Sequence, residues 1–306
     1  MGRFLLNRTV TMIITLFLII TITFFLMHAI PGGPFTREKP LPPAVLEALN
    51  KKYHLDDPLW KQYLDYLKSV ATFNLGPSFQ RVGVTVNDLI REGFPATAKI
   101  GGGSIILVII LGIPIGIISA LKQNKWQDQA VMIFATLGVT IPSFVMATGI
   151  IYIFSARLGW LPSNGLTTWK HLIGPIIALS GFSLSFVARL TRSSMLEVMQ
   201  QDYIRTARAK GLSEFKVIGK HALKNALIPV VTYLGPMIAN LLTGSFVVEK
   251  IFAIPGMGKH FVESVNNRDY TVLMGFTIFY AMFLIVMVLI VDILYGLIDP
   301  RIKLQD

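Results

Sequence analysis

The stretch TVTMIITLFLIITITFFLMHAI, Thr9 to Ile30, decides how the whole chain is read. It runs for 22 residues without an acidic or basic charge. As a helix it would rise about 33 Å, enough for a hydrocarbon core about 30 Å thick. Arg3 and Arg8 precede it, so a secretory signal peptide is the competing reading. Signal cores run only about 7–15 apolar residues and end at a small-residue cleavage site. This run is longer and no A-x-A follows, so we expect a retained first span. The opening MGRFLL also lacks the Ser or Thr of a myristoylation signal.

Working outward, five more apolar runs are long enough to cross a bilayer, at about 100–121, 130–156, 172–190, 226–248 and 272–298. None alternates with period two, and an open sheet would leave backbone groups unpaired in lipid. The expected fold is therefore all-α, a polytopic membrane protein with six transmembrane helices. Pro114, Pro142, Pro175, Pro229 and Pro236 fall inside or near the spans and predict kinks. Gly112 and Gly116 form a G-x-x-x-G at which another helix can come close, and the run GGGS at 101–104 suits close helix packing better than phosphate binding.

Composition agrees: 53% of residues are hydrophobic and 15% charged, against about 25% charged in soluble domains. With no cysteine there is neither a disulfide framework nor a thiolate ligand or nucleophile. The net charge of +11 raises the possibility of nucleic acid, but few aromatics interleave with the basic residues. Its distribution points to membrane topology instead. With the N-terminus inside, the cytoplasmic segments hold 14 Lys and Arg and the short outer loops hold 5. Both termini are thus expected on the cytoplasmic side of the membrane. The 31–99 segment carries nine basic and seven acidic residues and is too long to vote.

That segment is expected to form a small helical cap. PPAVLEALNKKYHL begins with proline, favoured at a helix start. DPLWKQYLDYLKSV puts Trp60, Tyr63, Leu64, Leu67 and Val70 on one face, and VTVNDLIREGF reads as a short helix at the interface. The expected organisation is residues 1–99 as first helix plus outer cap, and 100–306 as a five-helix core with a cytoplasmic loop at about 196–225.

Catalytic constellations do not emerge. His28, His54, His171, His221 and His260 are scattered, without an i,i+4 pair or H-E-x-x-H. GFSLS at 181–185 lacks the last glycine of a nucleophile elbow. IGKH at 218–221 imitates the end of a P-loop, but Glu214 stands where glycine is required and His221 where Ser or Thr is. We expect no catalytic residue, no metal and no cofactor in this chain. Asp292 is the one acidic residue within the expected spans. It reads either as a proton carrier of a secondary transporter or as a structural acid, hydrogen bonded between helices or paired with Arg189 or Arg192.

One segment is basic yet patterned. YIRTARAKGLSEFKVIGKHALKNALIP, Tyr203 to Pro229, carries six lysines and arginines and one histidine against one acid. Leu196, Met199, Tyr203 and Ala207 recur at helical spacing. Gly211 suits a left-handed helix end, Ser213 can cap a second helix, and Phe215, Ile218 and Ala222 give that helix an apolar face. Lys216, Lys220 and Lys224 stack four apart, fit for anionic lipid headgroups. Lipid binding needs neither the corner nor the small TARAKG run, which suit docking into a protein cleft.

The segment resembles the EAA loop of type I ABC-importer permeases, E-A-A-x-x-x-G-x9-I-x-L-P. Ala207, Gly211 and Leu223 match, while Arg205, Thr206, His221 and Lys224 replace the Glu, Ala, Ile and Pro. RTARAKGL is similar to the form in the peptide and nickel branch, as are IPGGPF, YHLDDP, FNLGPSF, ARLTRSSMLEV, TGSFVVEKIFAIPGMG, NRDYTV and VDILYGLIDPRI. The resemblance covers essentially the whole chain and is strongest to first permease subunits of the oligopeptide branch. It implies the type I permease fold and a non-catalytic subunit forming half of a peptide path. The implied partners are a second permease, two cytoplasmic ATPases that bind ATP and Mg, and an outer peptide-binding protein. The alternatives are a dipeptide or nickel-chelate importer. By the same resemblance, Arg205, Thr206, Ala207, Arg208, Gly211, Leu212 and Leu223 contact an ATPase. Pro255, Gly256 and Gly258 belong to an external gate or binding-protein contact.

Overall fold

The computed structural model describes residues 2–30, 35, 42–244 and 246–298, without the side chains of 2–5, 292 and 294–298. In chain order the helices are α1 (Gly2–Ala29), α2 (Pro43–Lys52), α3 (Leu59–Ala71), α4 (Val86–Leu107) and α5 (Ile113–Leu121). Then come α6 (Trp126–Thr140), α7 (Ser143–Ile150), α8 (Lys170–Met199), α9 (Asp202–Ala209), α10 (Glu214–Lys216) and α11 (Leu223–Ala226). The last four are α12 (Ile228–Thr243), α13 (Phe246–Ile251), α14 (Met257–Asn266) and α15 (Tyr270–Ile298). Three π-helical segments, Val108–Gly112, Ile151–Arg157 and Val217–Ala222, sit within this order. No strand occurs among the described residues; Pro77 and Thr85 form a single isolated bridge.

Five helical stretches are long and apolar enough to cross a membrane: Leu6–Ala29, Val86–Leu121, Lys170–Met199, Ile228–Ile251 and Tyr270–Val291. The sixth expected span is a bent pair, with α6 and the stretch Ser143–Arg157 meeting at 104°. Pro142 lacks the N–H that would continue the α6 hydrogen-bond ladder, so the chain breaks where the kink was expected. VTVNDLIREGF differs from expectation. It is not a separate interfacial helix but the first turns of α4, which continues through Pro95.

The contacts divide the chain into two compact units. Among the described residues the first comprises those up to Pro95 and Gly256–Ile285, and the second Ala96–Pro255 and 286–298.

In the first unit, Val86, Leu89, Met257, Phe276 and Ile278 build the core. α3 lies beside the C-terminal half of α1: Thr21 Oγ1 is 2.7 Å from Tyr63 OH, and His28 Nε2 is 3.3 Å from Gln62 Oε1. The face of α3 that turns inward carries Tyr66, Leu67 and Val70. Trp60 and Leu64, expected on it, are exposed. Asp269 fastens the loop before α4 to the start of α15, accepting from Ser78 Oγ at 2.5 Å and from the Phe79 N–H at 3.2 Å. His260 is buried beside this network, its Nε2 4.0 Å from Glu92. Burial, reinforced by Arg81, pushes the imidazole below its ordinary pKa against the pull of Glu92 and Glu263. Desolvation prevails because the Glu92 side chain is 70% exposed and its charge is screened by water.

The second unit is organised around α8, whose buried face is built from Ala178, Ser180, Ser183, Ser185, Ala188, Thr191 and Ser194. Small residues on its neighbours let backbones touch. A Cβ on Gly116 would lie 2.5 Å from the Ala188 carbonyl oxygen, and one on Gly112 would lie 3.1 Å from Val187. The G-x-x-x-G thus does the packing its spacing predicts. Gly101 is tighter still: its Cβ would lie 2.2 Å from the Leu241 carbonyl oxygen. Near the start of α6 the buried Asp128 accepts from Arg192 Nε at 2.6 Å and Nη2 at 2.7 Å. Ser119 Oγ at 2.5 Å and the Asn124 N–H at 2.9 Å complete its acceptor sites. Arg192 is thus paired with Asp128, while the side chain of Asp292 lies outside the described residues.

Candidate functional site

The patterned basic segment folds as a hairpin of helices on the second unit. α8 ends at Met199, and α9 restarts at Asp202 after Gln200 and Gln201, so the expected first arm is two helices with a break. Because of that break the inward residues of α9 are Ile204 and Ala207, 0% and 5% exposed. Tyr203, expected on the apolar face, is exposed, and its hydroxyl accepts from Asn225 Nδ2 at 2.7 Å.

The corner is built as its glycine requires. Gly211 has φ +77°, the left-handed region that side chains with a Cβ disfavour. The Gly211 N–H donates to the Arg208 carbonyl at 2.9 Å and the Leu212 N–H to the Ala207 carbonyl at 3.4 Å. These two bonds are the Schellman ending of a helix. Ser213 starts the second arm through its carbonyl, which accepts from the Lys216 and Val217 N–H groups; its side chain makes no capping bond. Across the corner Arg208 Nε donates to Glu214 Oε1 at 2.8 Å. This hydrogen bond holds the Glu214 carboxyl below the usual carboxylate range and the Arg208 guanidinium above its own.

The hairpin is seated by Ile204, Ala207, Val217, Ala222 and Ala226, which pack with Ala120 and Met195 from the ends of α5 and α8. Leu212 and Leu223 close the edge of the same cluster. Of the seven residues singled out in the sequence, Ala207, Leu212 and Leu223 thus face the ends of α5 and α8. Arg205, Thr206, Arg208 and Gly211 face outward. Phe215, like Tyr203, is not on the inward face expected of it. Its ring is 88% exposed at the tip of the second arm, because the inward positions there are Val217 and Ala222. The hairpin therefore presents one almost fully exposed aromatic ring, and Arg205, Lys210 and Lys216 are exposed on the same hairpin.

The outer loop is arranged differently. Pro255 is exposed, whereas Gly256 and Gly258 are buried at the start of α14. A Cβ on Gly93 would lie 2.8 Å from the Met257 nitrogen, so α4 and this turn are in backbone contact. Among the described residues no cluster of three metal-ligating side chains occurs.

Comparison with known proteins gives the same frame. Residues 112–304 match the family described as binding-protein-dependent transport system inner membrane component, and residues 1–101 match its N-terminal companion. The dipeptide transport system permease protein DppB of Bacillus subtilis is 51% identical over 305 residues, covering 100% of this chain and 99% of that protein. The oligopeptide transport system permease protein OppB of Salmonella typhimurium is 47% identical over 305 residues, covering 99% and 100%. Among solved structures, the inward-facing MetNI methionine ABC transporter aligns with a TM-score of 0.56 at 17% identity, covering 69% of this chain and 96% of that one. That likeness extends to the fold. With five to six candidate spans and relatives matched end to end, the chain belongs to the family of inner membrane components of binding-protein-dependent transport systems.

Proposed function

We propose that this permease forms half of the path of an ATP-driven peptide importer and receives its drive through the α9–α11 hairpin. The observation that carries the reading is the hairpin itself. It is seated by a buried apolar cluster, braced by Arg208 and Glu214, and tipped by an aromatic ring with no partner surface. Such a ring costs free energy in water and gains it in an apolar pocket of another subunit. The partners are a second permease, two cytoplasmic ATPases that hold ATP and Mg, and an outer peptide-binding protein. Phe215 enters an ATPase groove with Arg205, Thr206 and Gly211 around it, while Ala207, Leu212 and Leu223 transmit the motion to α5 and α8. Pro255 lies on the outer face, where the binding protein delivers substrate. Both termini lie in the cytoplasm, as the bias of basic residues requires. The peptide class rests on relatives that are named for dipeptide and oligopeptide transport.

The test is Phe215→Ala in the complete importer in vesicles. Insertion and thermal stability are expected to stay unchanged, because the ring is exposed. ATP-driven peptide uptake is expected to fall about 10-fold or more, the scale of losing an aromatic anchor. Gly211→Pro, which cannot adopt a positive φ, is expected to uncouple hydrolysis from uptake while sparing insertion. Normal uptake in both variants would remove the hairpin from coupling.

A further inference from the structure

The exposed faces of the spans differ in kind. α1 presents Ile13, Ile14, Phe17, Leu18 and Ile22 to its surroundings, a surface suited to lipid. α12 presents Pro229, Thr232, Pro236 and Asn240, which fall on one stripe, and exposes no large hydrophobic residue. The Thr232 hydroxyl donates to the Ile228 carbonyl at 3.0 Å, so the amide of Asn240 is the group that hydrocarbon would disfavour, and polar side chains within spans turn toward protein or water-filled space. Beside this stripe stands an aromatic ledge. Phe186 of α8 lies 4.4 Å from Tyr233 of α12, centroid to centroid, and stacks on Phe182 at 6.2 Å. Phe182 and Phe186 are 51% and 36% exposed although the rest of α8 is largely enclosed.

Arg189 follows on the same side of α8, one turn beyond Phe186. Its Nε is buried without a hydrogen-bond partner among the described residues, and Nη2 reaches only Thr136 Oγ1, at 3.4 Å. Beyond it the exposed side continues through Ser193 and Glu197 to the end of α8, next to the α9–α11 hairpin. The face therefore combines hydrogen-bonding groups, aromatic surfaces and a cation complementary to an anion. Lipid tails match none of the polar groups. A peptide matches all three, through its backbone, its side chains and its terminal carboxylate.

We infer that the α8–α12 face formed by Phe182, Phe186, Thr232, Tyr233 and Asn240 lines the aqueous route of the peptide, and that Arg189 receives the peptide's carboxylate. This rests on the peptide-import reading and deepens it by naming the lining groups.

The chain contains no cysteine, so single cysteines report cleanly. Thr232→Cys and Asn240→Cys, with Ile13→Cys as the lipid-facing reference, are placed in the complete importer in vesicles. They are labelled with a membrane-impermeant methanethiosulfonate during ATP turnover. Labelling at 232 and 240 is expected to be at least 10-fold faster than at 13, and to slow when transported peptide is added. The free-acid peptide is expected to protect more than its C-terminal amide, a difference that Arg189→Gln abolishes. Labelling at 232 and 240 as slow as at 13, or indifferent to peptide, would overturn the route. Equal protection by acid and amide would overturn the role of Arg189. Wild-type vesicles that take up no peptide with ATP would instead refute the import reading, so the two failures are distinct.

Discussion

α1 and α8 are both long enough to cross a bilayer, yet they meet opposite surroundings. Only 11% of the apolar window of α1 is buried within the chain, against 44% for α8. α1 meets them with isoleucine, leucine and phenylalanine, α8 with serine, alanine and small-residue neighbours. Between helices in a membrane the hydrophobic effect contributes little, so close approach and hydrogen bonding hold α8 in place. Where a helix faces lipid, any sufficiently apolar side chain serves. Substitutions should therefore be costly around α8 and tolerated along α1.

The largest effect is expected at Asp128. Asp128→Asn leaves Arg192 without its carboxylate inside the second unit, a change worth about 3–5 kcal/mol for buried pairs. A marked fall in thermal stability in detergent is expected, while Ile13→Leu on α1 leaves it unaltered. Equal melting temperatures for the two variants would break the comparison. Next comes Gly116→Ala, whose added methyl meets the Ala188 carbonyl and Thr191. Overpacking of this kind costs about 1–3 kcal/mol. Unfolding of this variant at lower detergent or temperature than Ile13→Ala would sharpen the contrast, and parity would blunt it.

The smallest effect separates the units by acid. His260 of the first unit has a folded pKa lowered by burial, so it folds best as the neutral imidazole. Its contribution is complete above the unfolded pKa of about 6.5 and is lost as pH falls through the folded value. Scanning melting temperature from pH 7.5 to 5, the wild type should lose more stability than His260→Gln. Parallel curves would show that the buried imidazole is not the titrating group.

Much of this was legible in advance where one residue type has one physical use. Gly211 announced a left-handed corner, Pro142 a break, and Gly112 with Gly116 a close approach. Each was readable because glycine and proline restrict the backbone locally. The side chains facing inward in the hairpin were not readable. A continuous 3.6-residue period placed Tyr203 and Phe215 inside, whereas the interruption at Gln200 and Gln201 brings Ile204 there, and on the second arm the π-helical segment Val217–Ala222 begins with Val217 turned inward. Trp60 and Leu64 failed for a related reason, since an amphipathic helix has an apolar edge wider than its partner covers. Asp128 carried a signal that went unused: a carboxylate in the first turn of an apolar helix needs a cation, and Arg192 was available.

The π-helical segment Val108–Gly112 between α4 and α5 has a consequence for how this span is inherited. Each residue advances a helix by about 100°, and a π turn accommodates one residue more than an α turn. The side chains of α5 are therefore out of phase with any pattern projected forward from α4. A single deletion there would turn the segment into an ordinary α turn and leave Gly116 and Ser119 facing α8, whereas a deletion at the start of α5 would swing them away by about 100°. The span behaves as two dials joined by a slack link, and one residue can be lost at the link, but not beyond it, without turning the lower dial.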